Sequence, residues 1–260
     1  MQNNPAELRK PLSWLQGWGA ENIRATSSSG GFGQEIMRTM IRSGGAVAAC
    51  KLQEGKFRFE LFEDESRIPE FIGSKYVKSN PVGIYQTVRD RLKTGKKVLF
   101  IGLPCQVSAM RNYVKNDKNL YTVDLICHGS PSAKLLHKAI SEYGYDLTEV
   151  NAIYFRAANK FAIETQPTPI VPKGVQDRYT MAFLKGLCYT ENCYSCHYAQ
   201  TERVGDLTIG DSWGTELSSE LSKGVSLALC QTEKGKEMLD MMNFTFYDVD
   251  LENAVQRNHQ

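Results

Sequence analysis

The sequence lacks any apolar run long enough to cross a bilayer. Its apolar stretches, such as 98–101 and 227–230, are short, against the ~20 residues a spanning helix needs. It also lacks a dominant charge: 31 Lys+Arg stand against 29 Asp+Glu, a net charge of +2. That balance gives no electrostatic ground for nucleic acid or an anionic membrane as partner. The first ten residues hold no apolar h-region, so the expectation is a cytoplasmic protein without a secretory signal. Neither a GxGxxG fingerprint nor a P-loop is present, and no internal repeat is found. With 42% hydrophobic and 23% charged residues, disorder and collagen-like character are excluded as overall descriptions. The 260 residues can bury a core without disulfides, as one large domain or two small ones.

The periodicities that are present indicate an α/β order. Residues 1–24, with Pro5, Pro11, Trp14 and Trp18 and no clear period, are expected to form an arm packed on the body formed by 25–260. Ile36, Met37, Met40 and Ile41 recur at helical spacing and predict a helix over 34–41, ended by Gly44-Gly45. Residues 46–52 read as a buried strand, and 56–62, with Phe57, Phe59 and Leu61 on one side, as a half-exposed one. A helix over 83–92, a strand over 97–103, a helix opened by Pro104, a strand over 120–127 and a helix over 132–143 come next. This alternation predicts parallel pairing. Later strands are expected at 152–156, 206–210 and 226–230, a helix at 233–242, and an irregular excursion over 161–175, where Pro167, Pro169 and Pro172 fall. The predicted class is α/β, with α+β character in the second half. It comprises a mixed, partly parallel sheet flanked by helices, with a small cysteine-bearing lobe over 157–205.

Seven cysteines carry the chemistry. In a reducing compartment such residues point to metal binding or catalysis rather than disulfides. Cys193-Tyr-Ser-Cys196 is a CxxC, a spacing that suits redox thiols, zinc or an iron–sulfur cluster. It sits in a tyrosine-rich loop rather than between a strand and a helix, which weighs against a thioredoxin-type site. Cys105 falls just past one predicted strand and Cys127 at the end of the next. If those strands are parallel, both thiols emerge at one carboxyl edge, where neighbouring strands are ~4.8 Å apart and open α/β sheets bind ligands. With the CxxC they make four thiolates, which suit structural zinc or a 4Fe-4S cluster. Zinc ribbons use two closely spaced knuckles, so two single, distant ligands favour the cluster. Cys50 and Cys230 lie in strands and read as core residues; Cys188 is read the same way.

Ser27-Ser-Ser-Gly-Gly31 precedes the first helix. Free N–H groups at a helix start, with serine hydroxyls beside them, favour phosphate, although an ordinary N-cap loop has the same composition. Gly73-Ser-Lys-Tyr-Val77 offers a cation, a hydroxyl and an aromatic face, and bare sequence reads it equally as a solvated loop.

Six segments taken together resemble one family. SSSGGF (27–32), GSKYVKS (73–79), VLFIGLPCQVSAM (98–110), VDLICHGSPS (123–132), NCYSCHYA (192–199) and GDLTIGDSWG (205–214) occur in the order and spacing of the coenzyme F420 hydrogenase/dehydrogenase beta-subunit family. The resemblance spans about residues 25–242. It implies a flavin and iron–sulfur oxidoreductase that passes electrons between a hydride donor or acceptor and a one-electron carrier. Its cofactors would be FAD and a 4Fe-4S cluster. Carried over by position, Cys105, Cys127, Cys193 and Cys196 would ligate the cluster, and Ser28, Ser29, Gly30, Gly31, Ser74, Lys75 and Tyr76 would contact FAD, with its pyrophosphate near Gly30 and Gly31. Asp211, Trp213 and Gly214 belong to the last motif, near the cofactors. His128 either tunes the cluster or flavin or is a satisfied histidine in a turn. In archaeal relatives the small-molecule partner is coenzyme F420. Two departures stand out: Ser212 replaces the usual aromatic before Trp-Gly, and this sequence begins almost directly at the serine-glycine loop, with too few cysteines for the N-terminal ferredoxin module of many relatives. The expected partner is therefore a separate ferredoxin-like electron carrier, with an oligomer left open. Two colourless alternatives remain: a zinc-stabilised cysteine-rich binding or scaffold protein, and a thiol-disulfide oxidoreductase using Cys193 and Cys196.

Overall fold

Strands buried on both faces need helices on both, and the runs at 46–49 and 98–100 are of this kind. A computed structural model describes residues 6–115, 117–157, 160–171 and 176–258. The first half runs through β1 (Ser13–Gly19), α1 (Glu21–Arg24), α2 (Phe32–Arg42), β2 (Ala46–Gln53), β3 (Lys56–Phe62), α3 (Ile84–Lys93), β4 (Val98–Gly102), α4 (Pro104–Val114) and β5 (Leu120–Leu125). The second half holds α5 (Ala133–Ser141), β6 (Ala152–Ala157), β7 (Lys160–Gln166), α6 (Arg178–Leu184), β8 (Leu207–Asp211), β9 (Ser226–Cys230), α7 (Glu233–Met241), β10 (Phe244–Tyr247) and α8 (Leu251–Asn258).

Among the described residues eight strands form one sheet in the order β10-β1-β9-β8-β5-β4-β2-β3, and β6 and β7 form a separate hairpin. The centre is parallel: β2 pairs with β4, β4 with β5 and β5 with β8. The flanking pairs β2·β3, β8·β9, β9·β1 and β1·β10 are antiparallel. The pleat sends alternate residues to opposite faces. Val47, Ala49 and Leu99 pack with Phe32, Ile36 and Met40 of α2 and Met238 of α7. Ala46, Ala48, Val98 and Phe100 pack on the other face with Val88 and Leu92 of α3 and Val107 and Met110 of α4. The mixed, partly parallel α/β sheet expected from the sequence is present.

A second core gathers Leu136 and Ile140 of α5, Phe155 and Ile163 of the hairpin, Tyr179 of α6, and Phe57 and Val77 from the main body. No residue of the CxxC loop is part of this core. Two expectations change. Part of the 1–24 arm is a strand inside the sheet, β1, held between β9 and β10. Part of the 161–175 excursion belongs to β7, because its prolines fall after the strand; residues 172–175, with Pro172, lie outside the described residues.

Gly30 shows how tightly β1 fixes the loop beyond it. A Cβ there would collide with the Gly17 carbonyl oxygen and stand 2.8 Å from the Ser226 amide nitrogen. Gly33, one turn on, has only Ile209 Cδ1 within 4 Å, at 4.0 Å. Gly30→Ala is expected to cost ~3 kcal/mol through backbone overpacking. Gly33→Ala is expected to be neutral or to stabilise by under ~1 kcal/mol. Urea unfolding midpoints of the two variants measure the contrast, and equal midpoints would refute it.

Candidate functional site

Parallel strands deliver their carboxyl ends to one edge. Here β2, β4, β5 and β8 do so, and β1 ends there too, because it is antiparallel to β9, itself antiparallel to β8. The segments after these strands enclose a cavity of about 860 Å³. This is where an open α/β sheet is expected to bind a ligand.

One wall is the serine-glycine loop. The Gly19 N–H donates to the Gly30 carbonyl oxygen at 2.8 Å, and the Ser29 hydroxyl to the Val225 carbonyl oxygen at 2.9 Å. The Ser27 hydroxyl donates to the Ile23 carbonyl oxygen and accepts from Gln34 Nε2, both at 2.8 Å. Gly31 is the N-cap of α2 with φ +90°, a conformation that favours glycine, and no side chain caps the helix. The first-turn N–H groups of α2 are thus left for another acceptor, which favours an anion at this end. Gly31 lines the cavity, whereas Gly30 does not. The absence of a side chain at Gly30 permits its close contact with β1 and β9.

The facing wall is the 71–79 segment. Its Ser74 N–H donates to Ser28 Oγ at 3.2 Å, which ties the two loops together. Lys75 Nζ donates to the carbonyl oxygens of Phe71, Ile72 and Gly73 at 2.8, 2.9 and 2.9 Å. All three ammonium protons are used, so Lys75 lends the cavity charge rather than a free donor. Burial pushes its pKa down to about 8. Tyr76 stacks on Phe183 with ring centroids 4.4 Å apart, and burial, with Asp211 nearby, pushes its phenol up to about 12. Ser28, Ser29, Gly31, Ser74, Lys75 and Tyr76 all line the same cavity.

Cys127 lines it as well. Burial pushes its thiol up to about 11, against a hydrogen bond to the Gly129 carbonyl oxygen, and nearby Cys193, Cys105 and Cys196 add to the rise. The four thiols therefore face one neighbourhood, although they are not drawn into a closed set. Among the described residues no three His, Cys, Asp or Glu side chains stand close enough to hold a metal ion. Cys105 is exposed and accepts from Lys78 Nζ at 3.6 Å. Cys193 Sγ lies 3.2 Å from Thr190 Oγ1. In kind the donor set fits a sulfur-ligated centre, since soft thiolates suit iron–sulfur or zinc. Of the remaining cysteines, Cys230 is buried in β9 with the main core, as expected. Cys50 packs against the second core and also lines the cavity.

Other segments complete the cavity wall. Phe161 of β7, Phe183 at the end of α6, Tyr189 and Trp213 supply aromatic faces. Ile101, Leu125 and Ile209 supply apolar strand ends. Arg156 of β6 pairs with Asp211 and lies over the rings of Trp213 and Phe161 at 5.0 and 5.3 Å. Asp211 is thereby held as an ion-pair partner. His128 packs against Phe183 and bonds through Nδ1 to the Tyr189 hydroxyl, which itself donates to the Phe183 carbonyl oxygen at 2.9 Å. Partial burial lowers the His128 pKa.

The family model for the C terminus of the beta subunit of coenzyme F420 hydrogenase/dehydrogenase matches residues 95–247, more than half of the sequence. The chain belongs to this family. It is accordingly an oxidoreductase. The matched region contains Cys105, Cys127, Cys193 and Cys196, and the serine-glycine and 73–77 segments precede it. A similar fold occurs in the F420-reducing NiFe hydrogenase complex from Methanosarcina barkeri, solved after xenon derivatisation. The TM-score is 0.66 at 18% identity, covering 97% of this chain and 91% of the matched one. No curated protein matches the chain in sequence.

The Lys75 contacts set a measurable expectation. Lys75→Met keeps the aliphatic stem but strands three carbonyls, and should lower stability by ~2 kcal/mol. Guanidinium unfolding curves would show it, and an unchanged midpoint would mean that the 71–73 turn does not depend on the ammonium.

Proposed function

We propose that this family member uses FAD in the carboxyl-edge cavity and a 4Fe-4S cluster on Cys105, Cys127, Cys193 and Cys196. It would pass electrons between a small-molecule hydride carrier and a one-electron carrier. One observation supports this above all. Cys127 lines the same cavity as Ser28, Gly31, Ser74 and Tyr76, and its thiol feels the other three. A flavin supplies the exchange between paired and single electrons that such a protein requires.

The chain's own residues would bind and shield. The open first turn of α2 and the hydroxyl of Ser28 would hold phosphate. Tyr76, Phe183 and Trp213 offer flat faces to a ring system, and Ile101, Leu125 and Ile209 keep water from it. Lys75 keeps positive charge at the wall without offering a proton to a ligand. No nucleophile or general base is needed. Coenzyme F420 is the first candidate for the hydride carrier and a ferredoxin-like protein for the other, in a cytoplasmic setting. No helix among the described residues is long and apolar enough to cross a membrane. Assembly with other subunits is part of the proposal, since the similar structure is a complex.

Anaerobically purified protein should show a flavin spectrum with a broad iron–sulfur shoulder and about four irons per chain. Cys193→Ala should lose most of the iron while Cys50→Ala keeps it. Reduced F420 or NADH should bleach the flavin, and reduced ferredoxin should reduce the cluster. A colourless protein carrying zinc would instead establish the scaffold reading, and equal iron in the two variants would remove the ligand assignment.

A further inference from the structure

Arg203 is among the largest side chains wholly enclosed in the protein, at 2% exposure. Its surroundings join two parts of the chain that the sequence keeps far apart. Nη2 donates to the Leu125 carbonyl oxygen at 3.1 Å, at the end of β5 and two residues before Cys127. Nη1 donates to the Tyr198 carbonyl oxygen, two residues after Cys196, and reaches the Gln200 carbonyl oxygen at 3.4 Å. Nε faces Asp124 Oδ1 at 3.2 Å. Asp124 is itself anchored, accepting from the Gly205 N–H at 2.8 Å and the Thr208 hydroxyl at 2.9 Å. The backbone of Arg203 is fixed by a two-way exchange with Arg9, at 2.8 and 2.9 Å.

We infer that Arg203 is a positioning residue. Its guanidinium clamps the CxxC loop to the end of β5 and sets where Cys193 and Cys196 stand relative to Cys127. The inference rests on the cluster reading given above and adds the part that builds the ligand set. The planar fork places separate nitrogens toward the Leu125 carbonyl, the Tyr198 carbonyl and the Asp124 carboxylate. A lysine ammonium in the same place keeps the ion pair with Asp124 but cannot span the two carbonyls. The clamp adds to the packing of Tyr198 against the core under α3 and α4.

The test compares wild type with Arg203→Lys, which keeps the buried charge paired, and with Asp124→Asn, which keeps all three carbonyl contacts. Amide hydrogen exchange on metal-free protein reads the clamp without any cofactor. Arg203→Lys should speed exchange over residues 193–202 by roughly tenfold while leaving β4 unchanged, and Asp124→Asn should do so less. After anaerobic reconstitution Arg203→Lys should retain less than about half of the wild-type iron and show an altered EPR line shape in what remains, with FAD binding unchanged. Wild-type exchange in Arg203→Lys would overturn the clamp. Faster exchange with wild-type iron and EPR would overturn its role toward the thiols. A wild-type protein that takes up no iron would overturn the cluster reading and this role with it, while the exchange data still decide whether Arg203 holds the loop.

Discussion

The constraint on which the rest depends is the common direction of β2, β4, β5 and β8. Four parallel strands buried on both faces must be covered by helices on both, and each crossover returns the chain to the same starting edge. The segments leaving the strands therefore collect at the opposite edge. The serine-glycine loop, Cys105, Cys127 and Asp211 come together for this reason, although more than a hundred residues separate the first from the last.

Buried polar groups hold this arrangement in register. Asp206, at the entry to β8, accepts from the N–H and the hydroxyl of Thr122 in β5 at 2.8 and 2.7 Å. Its other oxygen accepts from the Thr232 hydroxyl at 2.8 Å, and Thr232 caps α7. Asp124, two residues along β5 from Thr122, anchors the turn into β8 through Gly205. A slip of β5 against β8 would strand both carboxylates in the interior, where unpaired charge is strongly disfavoured. The apolar residues thus set which faces are covered, and the two aspartates set the pairing of β5 with β8.

Much of this was legible in the sequence because it is local. Residues 46–49 and 98–101 read as strands because they are apolar on both faces, and Pro104 marks a helix start because proline fits there. Cys105 and Cys127 could be placed at one edge because each comes directly after such a strand. What escaped depends on contacts far along the chain. β1 carries Gly17, which looks like a loop residue, yet a Cβ there would collide with the carbonyl oxygen of Thr245 in β10. Gly30 has the composition of a phosphate loop, and only the fold shows how closely it packs on β1 and β9. Arg156, Phe183 and Tyr189 stand at or beside the cavity from three segments whose local patterns carry no sign of a site. Lys75 reads as a cation on offer, and only the turn made by Phe71, Ile72 and Gly73 reveals that its protons are already committed.

The two outer strands bear on how copies of this molecule meet. β10 is only four residues long. β3 carries Lys56, Arg58 and Glu60 at alternate positions, and Asn80 lies along it, pairing with Arg58 and donating its N–H to the Phe57 carbonyl oxygen at 2.8 Å. Short, charged or occupied edges are poor templates for a further strand. Continuation of the sheet from one molecule into the next is thus disfavoured at both ends, which protects a chain of this strand content from fibrous aggregation and directs any ordered assembly to its helices and loops.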